Sequence, residues 1–458
     1  MKTLVTALTV ALYLVFLSFQ PALAGAPPLQ WQKTFGGKFP PETHERGRSV
    51  QQTSDGGYII ASESGSECPP PYFECSSVDL IKTDPDGDIK WIKYFGYPVN
   101  SGYSVQQTSD GGYIIAGYTY SFGTESLDVY LIKTDPNGNS QWQKTFGGSG
   151  RDVGHSVQQT SDGGYIIAGS IDSYGTDADV YVIKTDSGGN LQWQKTFGGI
   201  YGDWGRSVQQ TTDGGYIIAG YTNSYGAGDN DVYLIKTDPN GNKKWQKTFG
   251  GSDSEHGSSV QQTSDGGYII TGITWSYGAG WADVYLIKTD PNGDSQWQKT
   301  FGGSDPDTGS SIQQTSDSGY IITGSTVSYG AGGDVYLIKT DPNGNSQWQM
   351  TFGGSKSDHG YSVQQTSDGG YIIAGRTESY GAVYGAVYLI KLCSDGTLSA
   401  DFNCNGTVYF EDLKVLVDQW LQPPGILSAD IAPEPGDGIV NFLDFRILAN
   451  DWLQSTIP

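Results

Sequence analysis

The chain has 458 residues, with 26 Lys and Arg against 49 Asp and Glu, and a formal net charge of −23. So acidic a surface repels phosphate backbones and anionic headgroups, which excludes nucleic acid as a partner and disfavours anionic membranes. With 66 Gly, 30 Tyr and 12 Trp, the acidity is not that of a disordered chain, because aromatic residues at this density supply the apolar area of a packed core.

Residues 1–24 read as an export signal. Lys2 opens it, an apolar stretch runs from Leu4 to Phe19, and Ala22-Leu23-Ala24 forms a small-residue cleavage site. The stretch falls short of the roughly 20 apolar residues of a membrane span, and no second one occurs downstream. The expectation is a secreted protein, extracellular or at the cell surface, with no membrane span. Four cysteines suit an oxidising compartment. Cys68 and Cys75 bracket a short proline-rich loop, and Cys393 and Cys404 are placed to clip the end of the repeats to the C-terminal segment. Spacing alone leaves the connectivity open.

From residue 25 to 397 one unit recurs. Its marker tryptophans are Trp31, Trp91, Trp142, Trp193, Trp245, Trp297 and Trp348, 51 or 52 residues apart except for a first interval of 60 that holds the CPPPYFEC insertion. A period near 50 means a propeller or a related array. Residues 155–197 show the unit: HSVQQT, GYIIAGS, DVYVIKTD and LQWQKTF, rich in β-branched and aromatic residues and parted by Gly, Asp and Asn. These are strands a, b, c and d of an antiparallel meander, with SDGG and DPNGN supplying the positive-φ positions of tight turns.

The chain opens with a lone d strand at 31–37, whereas the seventh unit stops after strand c at Tyr388-Leu389-Ile390-Lys391. The orphan can therefore complete the last sheet and remove the edges an open array would expose. The expected fold is all-β, a seven-bladed β-propeller closed by its N-terminal strand, plus a small α-helical EF-hand-like module at 398–458. The Trp-xxx-Phe-Gly-Gly strand followed by Asp-Gly-Gly-Tyr-Ile-Ile-Ala-Gly resembles the SBBP-type β-propeller repeats of secreted bacterial and archaeal proteins. That resemblance covers about four fifths of the chain and implies the fold rather than an activity.

In such a meander the a–b and c–d turns share one face and the d–a and b–c loops share the other. The turns are nearly invariant; the loops vary, and recognition usually resides in variable loops on a rigid frame. Candidate ligand residues there are the repeated aromatics Tyr174, Tyr225, Tyr277, Tyr329 and Tyr380, with Trp204, Trp275 and Trp281 as additions. Aromatic faces beside carboxylates suit stacking on sugar rings, while a residue present in nearly every blade also suits a structural cap. His155, His256 and His359 fall in the d–a loops and read as exposed. The turn acids Asp84, Asp135, Asp186, Asp238, Asp290 and Asp341 are accounted for by Asx-turn chemistry without metal. Asp152, Asp203, Glu255, Asp305, Asp307 and Asp358 offer acid–base pairs for glycoside cleavage, but nothing in the sequence selects two of them. No Ser/His/Asp, HExxH or phosphate-cradling motif occurs.

After Leu398 glycine thins and a duplicated loop-helix pattern begins. Asp401, Asn403, Asn405 and Asp412 take loop positions 1, 3, 5 and 12, with Gly406 at the sharp turn and the Thr407 carbonyl at position 7, an oxygen set that suits calcium. Asp430, Asp437, Asn441 and Asp444 repeat it with three extra residues between the first two, and Glu434 is a further donor. A helix should come after each loop, with Leu413, Leu416, Val417 and Trp420 on one face of the first. Paired loops of this kind ending in Asp resemble type I dockerin modules. The resemblance implies calcium-dependent folding and docking to a cohesin-like domain, although Phe410-Glu411 and Phe442-Leu443 replace the small hydroxyl-rich pairs of the partner-contact positions, and an internal cap on the propeller is the alternative.

The functional expectation is a secreted, calcium-binding, non-catalytic binding or assembly component in a polysaccharide-related complex, with glycan or protein on the propeller face. A polysaccharide hydrolase or lyase, or a purely structural surface repeat protein, are the alternatives.

Overall fold

The structure, a computed structural model, describes residues 26–36, 44–67, 74–96, 99–120, 126–172, 177–381, 385–398, 400–401, 403–405, 407–408, 412–413 and 447. Its strands form seven four-stranded antiparallel sheets. Six run a-b-c-d in chain order, as in Asp203–Gln210, Tyr216–Thr222, Asp231–Thr237 and Lys243–Phe249. The seventh joins Asp358–Gln365, Tyr371–Thr377 and Ala386–Leu392 to the first strand of the chain, Leu29–Phe35. In that last pairing Trp31 lies opposite Lys391 and Phe35 opposite Val387, so the propeller closes on its own opening segment. The blades are numbered by their a strands, from blade 1 at His44–Gln52 to blade 7 at Asp358–Gln365.

Burial explains why the b and c strands read as continuous apolar runs. A middle strand of a blade is covered on both faces by neighbouring blades, so Tyr216–Gly220 and Asp231–Thr237 are buried throughout, without the alternation of a half-exposed sheet. Strand d is the outer edge and does alternate, as along Ser140–Phe146. One apolar cluster fills each seam. That between blades 4 and 5 gathers Val232, Leu234, Phe249, Val260, Tyr268 and Tyr285. The closing seam does the same with Phe35, Val50, Tyr58, Val387 and Leu389.

Each marker tryptophan reaches forward into the next blade. Trp245 meets Tyr268 edge-on at a centroid distance of 5.8 Å, a geometry favoured by the ring quadrupoles. It also covers Gly293 of the following c–d turn, where an added Cβ would stand 2.7 Å from the indole. The same pairing closes the ring, with Trp31 at 5.8 Å from Tyr58.

The inner a strands have one edge without a strand partner, and buried N–H groups there need acceptors. The Ser-Val-Gln-Gln motif supplies them. The amide of Val260 donates to Ser207 Oγ at 3.2 Å, and that of Gln262 to Gln209 Oε1 at 2.5 Å. Both bonds recur at every seam, including the closing one, where Val50 donates to Ser362 and Gln52 to Gln364. Below them, the lysine of strand c is buried and pairs with the aspartate of the a–b turn in every blade, as Lys288 with Asp265 at 2.8 Å. The a–b turn places Gly at φ near +81° in most blades, and Ser318 takes φ +68° in blade 6. The c–d turn acids serve their own backbone: Asp135 Oδ1 accepts from the amides of Asn137 and Asn139 at 2.9 and 2.8 Å.

The insertion lengthens strands b and c of blade 1 to Tyr58–Glu67 and Glu74–Thr83; the paired-cysteine reading for Cys68 and Cys75 lies outside the described residues. Cys393 and Cys404 form a disulfide. The export-signal reading of 1–24 and the helices expected after Asp412 also fall outside the described residues, apart from 412–413 and 447. Among the described residues no helix is long and apolar enough to cross a membrane.

Candidate ligand site at the channel mouth

The a strands surround an axial channel of about 240 Å³, lined by Val50, Gln51 and their counterparts in each blade. Every ring glutamine accepts a backbone N–H through Oε1, as Gln209 does from Gln262. Acceptance fixes the orientation of the carboxamide, because only the oxygen can accept. The Nε2 group of each ring glutamine, a double donor, is then left without a protein partner among the described residues.

Three residues before each ring glutamine, the chain stops repeating. Arg48, Tyr103, His155, Arg206, Ser258, Ser310 and Tyr361 occupy this one position in blades 1 to 7. Side chains of neighbouring blades touch at that level. The Arg48 guanidinium stands 5.2 Å from the Tyr103 ring centroid and 4.8 Å from that of Tyr361. Tyr103 and His155 rings are 5.1 Å apart. Arg206 Nη1 lies 3.2 Å from His155 Nε2, and its Nη2 donates to the Tyr221 hydroxyl at 3.2 Å. Tyr221 stacks on His256 at 4.1 Å and on Trp204 at 4.7 Å, and Trp275 meets His256 edge-on at 5.2 Å. The result is an arc of guanidinium and aromatic groups over blades 7 and 1 to 5, with small serines completing the collar in blades 5 and 6.

Charge at the collar runs against the net charge of the chain. Glu63 accepts from Arg46 at 3.2 Å, from Arg48 at 2.6 Å and from the Ser101 hydroxyl. Burial is the largest influence and works to raise its carboxyl, but the Arg48 and Arg46 charges and the hydrogen bonds from Ser101 and Arg48 together outweigh it, so the pKa is lowered and the carboxylate stays ionised. The imidazoles go the other way. Desolvation, with help from Arg206, pushes His155 well below the usual range and His256 down to about 4. Both rings are neutral near pH 7, so arginine carries the positive charge of the mouth.

The sequence-derived site residues divide in two. Trp204 and Trp275 join the collar through Tyr221 and His256. Tyr225, Tyr277, Tyr329 and Tyr380 stay on the rims of separate blades. Each donates its hydroxyl to the carbonyl of the first glycine after the preceding blade's strand d, as Tyr277 does to Gly250 at 2.8 Å. Each also packs on a strand-c tyrosine, as Tyr277 on Tyr285. Trp281 projects from a b–c loop, 79% exposed, and Tyr174 lies outside the described residues.

Two sequence expectations need correction. His155, His256 and His359 are not exposed loop residues: the a strands begin earlier, at Asp152, Glu255 and Asp358, so each histidine sits in a strand and is half-buried. Of the six variable-face acids, Asp152, Asp203, Glu255, Asp307 and Asp358 each sit in a different seam with no exposed surface, out of reach of a polysaccharide. Asp305 alone is exposed.

At the end of the propeller, Asp401 and Asp412 are fully buried. Asn405 N–H donates to Asp401 Oδ1 and to Asn403 Oδ1, both at 3.1 Å. Asn403 N–H donates to Asp412 Oδ1 at 3.4 Å, and Thr407 N–H to Asn405 Oδ1 at 3.0 Å. Asp401 and Asp412 thus turn inward while Asn405 and Thr407 stay exposed, and the donors together are an all-oxygen set of the kind a hard cation takes. Asp430, Asp437, Asn441 and Asp444 lie outside the described residues.

Part of the collar was open to a reading of the repeats against one another, because Arg48, Tyr103, His155, Arg206 and Tyr361 hold one position of an otherwise constant motif. No family model and no curated relative matches the chain. Among solved structures it is similar to Sqt1 from Chaetomium thermophilum, at 10% identity over 73% of this chain and 81% of that one, with a TM-score of 0.43. It is similar to a YCF48 protein bound to a D1 peptide, at 12% identity over 82% and 100% of the two chains, TM-score 0.45. It is also similar to a puromycin hydrolase, at 12% identity and TM-score 0.46, where the match covers 80% of this chain and 55% of that one. Likeness this distant carries no weight for function; the seven sheets define the fold by themselves.

Proposed function

We propose that this chain is a secreted, non-catalytic binding component whose propeller takes an acidic glycan at the channel mouth. The observation that carries the reading is the collar: Arg48 and Arg206 set among Tyr103, Tyr361, Tyr221 and Trp204, above a ring of free amide donors. Guanidinium forks pair with carboxylates in bidentate geometry, and aromatic faces stack on sugar rings. Sequence variation at that position and in the loops beyond it suits specificity on a constant frame.

Residues 398–458 would attach the propeller to a larger assembly. Their likeness to a type I dockerin supports calcium held by Asp401, Asn403, Asn405, Thr407 and Asp412, with Asp430, Asp437, Asn441 and Asp444 in the second loop, and a cohesin-like domain as partner. Calcium there supplies folding energy rather than chemistry. The repeats' likeness to secreted SBBP-type propellers supports an extracellular or cell-surface setting.

A second reading, a polysaccharide lyase, draws on one specific feature. Neutral His256 and the Tyr221 hydroxyl stand beside Arg206, which puts a base, a proton donor and a charge neutraliser for a uronate carboxylate together. One experiment separates the two readings. Purified full-length protein is titrated with uronate-containing and neutral polysaccharides while the ultraviolet absorbance of unsaturated uronate is followed. Selective binding without new absorbance is expected. Growing absorbance would establish the lyase, and equal affinity for neutral polysaccharides would defeat both.

A further inference from the structure

Carboxylates face one another across the seams on the variable side of the ring. In blades 4 to 6 the first residue of strand c and the first residue of the next blade's strand a form the pairs Asp231 and Glu255, Asp283 and Asp307, Asp334 and Asp358. All six are at most 4% exposed. The members of a pair converge on one point beside the first glycine after strand d. An ideal Cβ on Gly353 would stand 2.0 Å from Asp334 Oδ1 and 2.6 Å from Asp358 Oδ2. On Gly302 the corresponding distances are 2.1 Å to Asp283 Oδ1 and 2.5 Å to Asp307 Oδ2. On Gly250 they are 2.0 Å to Asp231 Oδ1 and 2.3 Å to Glu255 Oε2. Only glycine leaves room for such an approach.

The groups that donate hydrogen bonds to these acids are neutral. Asp307 accepts from Gly303 N–H and Ser328 Oγ, and Asp283 from Ala279 N–H. The lysines of the same blades, Lys236, Lys288 and Lys339, pair with Asp213, Asp265 and Asp317 at the opposite face. Two buried oxygens, Asp307 Oδ1 and Asp334 Oδ1, have no hydrogen-bond partner among the described residues. Of these, Asp334 Oδ1 is the atom directed at Asp358. A desolvated pair of like charges with an unsatisfied oxygen is costly unless something positive joins it.

We propose that each of these pairs holds a divalent cation of the calcium class, which staples one blade to the next. Calcium takes about six to eight oxygens from carboxylates, carbonyls and water, so a site with only two carboxylates is a weak one. The chain carries its own exceptions: Asn100 stands where Glu255 does at the seam of blades 1 and 2, and Ala386 stands where Asp283 does at the closing seam. Those seams lack the pair. The sites are independent of whatever the collar binds.

The test uses the full chain and the variants Asp283→Asn and Asp334→Asn, each isosteric and in a different seam. Bound calcium by equilibrium dialysis against a fixed free calcium concentration, and thermal unfolding in calcium or in chelator, are measured for each. Each variant should bind one calcium fewer than the wild type. In chelator, where repulsion is relieved, the variants should unfold at a higher temperature than the wild type; in calcium the order should reverse. The calcium loop at 401–412 is untouched in all three proteins and cannot produce the reversal. Unchanged calcium content, with the variants more stable in both conditions, would overturn the proposal and assign a shared proton to each pair.

Discussion

The two ends of the axial channel are built from the same seven repeats and have diverged to different degrees. At the turn end every blade carries the same buried lysine on the same aspartate, the same glutamine and serine acceptors, and the same marker tryptophan. At the loop end one position per blade is arginine, tyrosine, histidine or serine, and those side chains touch across seams. Repetition marks what the ring needs in order to close, and departure from it marks what this ring is for. Stability and recognition should accordingly separate by residue.

The largest expected effect tests the constant frame. Tyr268→Ala removes a ring that is 2% exposed and packed against Trp245, and should lower unfolding free energy by about 3–5 kcal/mol in denaturant titration. A cost near that of a surface substitution would show that the seams are not the source of stability. Asp265→Ala comes next. It strips the buried Lys288 of its carboxylate; because the aspartate itself is half exposed, the loss should be about 2 kcal/mol, smaller than for a fully buried pair. The double variant Asp265→Ala with Lys288→Met should recover part of it.

Protonation sharpens the comparison at the loop end. His256 is held down to about 4 from 6.5 by desolvation and Arg206. Between those values the unfolded chain binds the proton and the folded chain does not, so stability falls as pH drops through the window. Replacing it by glutamine should flatten that fall by about 1 kcal/mol, read from denaturation midpoints at the two ends of the window. An unchanged slope would place His256 in water rather than between Tyr221 and Trp275. The smallest effect is a gain. Ser318 occupies a positive-φ turn position that glycine fills in the other blades, and Ser318→Gly should add roughly 0.5–1 kcal/mol, seen as a higher melting temperature.

The strands, their order and the closing pair at Trp31 and Lys391 were legible in the sequence because repetition exposes them: a two-face-buried strand reads as an unbroken apolar run, and a missing final d strand advertises its replacement. The site was less legible. Aromatics that recur, such as Tyr277 and Tyr329, attract attention through number, yet their hydroxyls cap backbone carbonyls just after strand d of the preceding blade. Arg48, His155 and Arg206 do not recur, and only the curvature of the ring brings residues about 50 positions apart into contact. The histidines were misplaced for a related reason: the bulge between Gly257 and Ser259 lets the a strand continue to Glu255, beyond the point where alternation in the sequence stops.

Ligand recognition at the mouth depends most directly on Arg206. Its guanidinium lies against His155 and Tyr221 and has no salt bridge among the described residues, so Arg206→Ala leaves no buried acid behind. Calorimetric titration of the full-length wild type, Arg206→Ala and Arg206→Lys with a uronate oligosaccharide is the decisive measurement. At least a tenfold weaker affinity for Arg206→Ala is expected, about 1.4 kcal/mol, with an intermediate value for Arg206→Lys and no change in melting temperature. Equal affinity in all three proteins would contradict the assignment of the channel mouth as the binding site.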